Sequence, residues 1–136
     1  MNRLLICLFF LLSLPALAQK SVPVELCGKW VYYSGGSTYT GGGYSVERSV
    51  TFHPDGSYLY QGESSNSGGN GASSGAGSDR GRWWIDGEIL CAQSSITGEL
   101  KRYPIELRNH PKTRDPMIVI DGDNYVTATQ RDPWPW

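Results

Sequence analysis

The chain has 136 residues, among them 17 Gly, 8 Pro, 5 Trp and 8 Tyr, with 39% hydrophobic and 18% charged content, a length that suits one domain. Twelve Lys and Arg against thirteen Asp and Glu leave a formal charge of −1, so no broad positive field exists to hold a phosphate backbone, and nucleic acid is not expected as a partner. No complete catalytic or cofactor motif stands out, which points away from an enzyme and toward a domain that acts by binding.

Residues 1–18 read as a bacterial-type export signal. Asn2-Arg3 is a short positive start, an apolar run follows over 4–14, and Ala16-Leu17-Ala18 puts small residues where a signal peptidase reads, so cleavage is expected after Ala18. A membrane anchor would need roughly 20 apolar residues, whereas Ser13 and Pro15 break this run. The mature chain is therefore expected without a stable membrane anchor, in the periplasm or outside the cell. That chain, residues 19–136, keeps two cysteines, Cys27 and Cys91. An even pair in an exported protein reads as one disulfide, which in the chain-entropy picture stabilises by roughly 4 kcal/mol.

Period-two alternation marks a strand over 44–52, and His53-Pro54-Asp55-Gly56 turns it into a Tyr-rich strand over 57–63. Asp86-Gly87 joins 82–85 to 88–92, and Asp121-Gly122-Asp123 joins 117–120 to 124–128, two further hairpins. Residues 29–34 and 99–108 complete eight short strands, and no long stretch keeps a helical period. The expectation is an all-β, antiparallel up-and-down barrel in a single domain over 19–136. In that order the Gly-rich 34–43 and the Gly/Ser-rich 62–81, read as a mobile loop, share one open rim; the two tight turns at 53–56 and 86–87, with 109–116, tie the other.

Strict alternation points Arg48 inward with Tyr44, Val46, Val50 and Phe52. A buried guanidinium must meet an acid or an aromatic face, unless a bulge turns it outward. Turned inward, it is a polar group able to fix an anionic ligand head. Tyr58, Tyr60, Trp83, Trp84 and Tyr103 stand with it as candidate ligand-binding residues, out of an aromatic load that also includes Tyr32, Tyr33 and Tyr125. The plainer reading is that the inward rings fill a small barrel and leave at most a shallow pocket.

Gly28-Lys29-Trp30 at the start of the first strand resembles the Gly-x-Trp opening of the lipocalin-like, calycin-type barrels. The resemblance implies that Trp30 closes the barrel base and that Arg131, after the last strand, packs against it. Glu25-Leu26-x-Gly28-x-Trp30 is also similar to the opening of small periplasmic inhibitors of secreted metalloproteases. That likeness implies an N-terminal segment, here 19–25, that enters a protease cleft. The Gly/Ser stretch and the position of Cys27 depart from that group.

Other constellations are sparse. His53 and His110 with Asp55, Asp86 and Asp115 do not form a converging set, so no metal and no cofactor are expected. Serines sit in Gly/Ser tracts that hold no hydroxyl beside a base. The glycines of 68–77 lack the Gly-Lys-Ser/Thr ending of a phosphate loop. The sequence thus predicts an exported, non-enzymatic binding domain that engages a protein partner or a small ligand at its open rim, with the protease-inhibitor reading as the alternative.

Overall fold

The computed structural model describes residues 21–37, 41–68 and 71–136. The expected export signal, residues 19–20 of the N-terminal segment and positions 69–70 of the Gly/Ser stretch lie outside the described residues. Eight strands follow in chain order: β1 Gly28–Ser37, β2 Gly43–Phe52, β3 Ser57–Gly68, β4 Gly71–Asp86, β5 Ile89–Ser94, β6 Leu100–Asn109, β7 Pro116–Ile120 and β8 Asp123–Thr127. Each pairs antiparallel with the next, and β8 returns to β1 through Trp30 opposite Thr127 and Val31 opposite Val126, so the sheet closes into an up-and-down barrel. Closure leaves the barrel wall itself with no edge to protect.

Turn chemistry sets the register. β7 and β8 are joined by Asp121-Gly122, both with positive φ (52° and 84°), the two-residue turn whose twist matches paired strands. Gly81 stands where β4 first pairs with β5, opposite Ser94, and a side chain there would collide with the Gln93 carbonyl.

Two expectations change. Within 62–81, read as a mobile loop, the described residues 62–68 and 71–81 are strand: β3 and β4 pair from Ser57 opposite Arg82 to Gly68 opposite Gly71. The first loop is trimmed in the same way, since β1 runs to Ser37 and β2 begins at Gly43. Backbone ladders form without help from side chains, and the pairing of β2 with β3 carries the register outward from Phe52 opposite Tyr58 to Gly43 opposite Ser67. Ser, Gly and Ala give no apolar alternation, so the sequence pattern signalled a loop where the structure has an extended tongue of β1–β4 above the barrel.

The second change concerns the cysteines. Cys27 and Cys91 are free and not within bonding distance. Cys27 ends the single 3₁₀ turn Val24–Leu26 at the barrel base. Cys91 lies in β5 on the face opposite Leu90 and Ala92, buried between Trp84 and Arg102 of the neighbouring strands. One cysteine is under the barrel and the other is on its wall, so the even count carried no pairing.

The core is thickest at the base. Trp30 and Ile118 are fully buried and Trp83 nearly so, and Trp83 packs on Phe52 with ring centroids 4.5 Å apart. Below them the chain seals the end. The Trp30 indole N–H donates to the Leu26 carbonyl at 2.9 Å, and the Arg131 guanidinium lies 5.2 Å from the Trp30 ring centroid while donating to the carbonyls of Glu25 (2.8 Å) and Cys27. The tail adds Trp134, stacked on Trp30 at 6.0 Å, buried, and donating its indole N–H to the Met117 carbonyl at 3.1 Å. Trp136 stacks on Trp134 at 6.2 Å but stays exposed. The N-terminal segment is tied down as well: Ser21 exchanges two backbone hydrogen bonds with Ile85, at 3.0 and 2.7 Å, along the part of β4 that β3 leaves unpaired.

Candidate functional site

The same alternation that fills the base leaves a cavity toward the mouth. Its volume is about 440 Å³, within the range of small-molecule sites. Phe52, Leu90 and Ile120 form an apolar floor, Val50 and Ala92 continue it up the walls, and Tyr58, Tyr60, Tyr103 and Tyr125 bring four phenol rings. Gly62 stands opposite Arg48 in the register, where a Cβ would come within 3.0 Å of the Tyr60 hydroxyl. The missing side chain keeps that space free.

Two polar networks face the cavity. In the first, Arg48 points inward and donates to the Asp123 carboxylate at 3.0 Å, with its guanidinium 5.2 Å from the Tyr32 ring centroid. Partial burial works against the Arg48 charge, but Tyr125, Tyr60 and Asp123 outweigh it and raise its pKa. Burial in turn raises the pKa of the Tyr125 phenol, against the opposing pull of Arg48. Of the two orientations open to Arg48, the inward, paired one is realised.

The second network centres on Asp79 of β4. The Tyr58 hydroxyl donates to one carboxylate oxygen at 2.8 Å and the Ser94 hydroxyl to the other at 2.6 Å. Burial opposes the Asp79 charge, yet the bonds from Ser94 and Tyr58 hold its carboxyl below the usual range. Burial and Asp79 together push the Tyr58 phenol well above its ordinary value. Tyr58 thus keeps its proton and Asp79 its charge at neutral pH.

Of the residues singled out in the sequence, Arg48, Tyr58, Tyr60 and Tyr103 meet in this cavity. Trp83 does not line it, being buried in the layer below with its indole N–H on the His53 carbonyl at 3.1 Å. Trp84 occupies the alternate face of β4, outside the barrel interior. Asp79, Ser94, Lys101, Asp123 and Tyr125 line the cavity but were missed as site residues. Asp79 sits in the stretch read as loop, and Asp123 in a turn, so neither carried the alternation that marks an inward position.

A larger and more open groove of about 1280 Å³ runs along the base beside Trp134, Pro135 and Trp136. Its one arginine, Arg108, is paired with Glu106 at 2.9 Å, both exposed. Exposed charges of this kind fix a ligand weakly, and no inward polar side chains converge there as they do in the barrel. Among the described residues no group of three His, Cys, Asp or Glu is placed to hold a metal ion. Family models, curated proteins and solved structures yield no match to this chain.

Proposed function

We propose that this is an exported, non-enzymatic binding protein of lipocalin-like type that takes a small molecule into the mouth of its barrel. The observation that carries this reading is the cavity of about 440 Å³, apolar at its floor, with Arg48, Tyr58, Tyr60 and Tyr103 around it and fixed polar groups at Asp79 and Asp123. A few oriented polar groups over an apolar floor give a small ligand both affinity and direction. The Trp30 and Arg131 pair at the base supports the lipocalin-like resemblance. The protease-inhibitor alternative needs a free N-terminal arm, whereas Ser21 is bonded to Ile85 and Leu26 is buried under the barrel. That anchoring favours the ligand reading.

Filling the cavity tests it. Ala92 lines the cavity and faces inward, so Ala92→Phe should abolish uptake of a neutral, environment-sensitive dye such as N-phenyl-1-naphthylamine while leaving the melting temperature unchanged or higher. Dye binding that survives the substitution at full strength places the site elsewhere.

A further inference from the structure

We infer that the cavity selects a small organic cation, an amine or quaternary ammonium carried on a compact aromatic or aliphatic body. This rests on the cavity being the binding site and adds the charge of its occupant. Four carboxylates line the cavity, those of Asp79, Glu99, Asp121 and Asp123, against two basic groups, Arg48 and Lys101. Arg48 is already committed: its charge lies on Asp123 at 3.0 Å and over the Tyr32 ring. An anionic ligand drawn to the remaining N–H groups of Arg48 would lie beside the Asp123 carboxylate that already holds it, and that like-charge contact works against binding. The sequence made Arg48 the natural anchor for an anionic head; its pairing with Asp123 weakens that role.

Asp79 is committed differently. Its oxygens accept hydrogen bonds from Tyr58, from Ser94 and from the Arg80 backbone N–H, and a carboxylate with about four acceptor sites can take one more. It therefore remains an oriented negative charge in the cavity wall, able to receive an ammonium N–H or to face a quaternary nitrogen. The opposing charge is Lys101, which already helps to hold the Asp79 charge but is exposed on a flexible stem and can swing toward water when a cation takes its place. Tyr60, Tyr103 and Tyr125 supply ring faces in the same space, and a cation against desolvated aromatic faces is held by the ring quadrupole as well as by the carboxylate. Neutral guests of the same shape would gain the apolar floor but neither of these attractions.

The test is calorimetric or NMR titration of the folded, full mature chain with three probes of one shape: phenyltrimethylammonium, its neutral isostere tert-butylbenzene, and benzenesulfonate as the anion. The cation should bind at least about tenfold tighter than the isostere, and the anion weakest. The ratio of cation to isostere affinity should fall at least about fivefold in Asp79→Asn and rise in Lys101→Ala, an exposed change that does not threaten the fold. An isostere that binds as well as the cation, or a preferred anion, overturns the cation inference and leaves the cavity reading standing. If none of the three binds, both fall. A ratio unchanged in both variants also overturns the inference, because the selectivity would then not come from these charges.

Discussion

The two ends of the barrel are built from the same eight strands but by opposite chemistry. At the base, Trp30, Trp134 and Trp136 stack in sequence beneath Ile118 and Trp83, and the indole N–H groups of Trp30 and Trp134 and the Arg131 guanidinium donate to backbone carbonyls. At the mouth, polar side chains bond to one another, Arg48 to Asp123 and Tyr58 and Ser94 to Asp79. Side chains locked to backbone are held by the fold itself. Side chains paired to each other around a cavity hold oriented charge there without sealing it, so stability is concentrated at the base and the proposed recognition lies at the mouth.

The sharpest way to break that contrast is Trp30→Ala. The side chain is fully buried between the Arg131 guanidinium and the Trp134 ring, and deleting a buried Trp costs about 3–5 kcal/mol in lost transfer and cavity energy. For a domain of this size that is roughly a 10 °C or larger fall in melting temperature, measurable by calorimetry or urea denaturation. The cost should be the same at neutral and acid pH, because packing rather than charge is lost. A fall of less than about 3 °C would mean that the base does not carry the stability assigned to it.

At the mouth the corresponding change is Asp79→Asn, with a smaller and pH-dependent effect. Losing the charge weakens the bonds from Tyr58 and Ser94 by about 1–2 kcal/mol at neutral pH. The folded carboxyl is depressed below its ordinary value, so its contribution is present above the unfolded pKa and disappears as pH falls through the folded one. Wild type should therefore exceed the variant in melting temperature at pH 7, and the gap should close as pH falls below about 4. A gap that stays constant down to pH 2 would show that the network does not depend on the Asp79 charge.

How far the sequence revealed these ends follows the same contrast. The all-β, up-and-down barrel was legible because apolar alternation and Asp-Gly turns are local signals, and the Gly-x-Trp opening drew attention to Trp30 and Arg131, which lie together at the base. Arg48 was legible as an inward charge because Val46, Val50 and Phe52 fix its phase. Its partner was not, since Asp123 is 75 residues away in the chain and only the closure of β8 onto β1 brings the two walls together. Asp79 was hidden by its own surroundings: Ser78 before it and Gly81 after it give no alternation, and only its pairing opposite Tyr60 turns it inward. The cysteines misled because counting them tests parity and compartment, not position.

The smallest effect is expected in the tongue, where the contrast between β3 inside and outside the barrel runs along a single strand. Tyr58 is buried and Tyr60 half-buried, whereas every residue from Glu63 to Gly68 is exposed, as are the described side chains of 73–78 opposite them. The small net gain of ladder bonds there is offset by the backbone entropy of ordering each residue, about 1–2 kcal/mol, so that without apolar burial the tongue adds little to stability in either direction. Replacing residues 66–73 with Asn-Gly, which closes a two-residue turn beyond the pair Ser65 and Ser74, should change stability by less than about 1 kcal/mol. Dye uptake by the cavity should not change, because no described residue of 66–73 lines it. Amide exchange in the intact protein should show the same boundary, with protected backbone at Tyr58 and Tyr60 and rapid exchange beyond Gly62. A drop in melting temperature above about 10 °C on shortening would mean that the tongue is stabilised by contacts beyond its own ladder, and that the two ends of β3 are not energetically distinct.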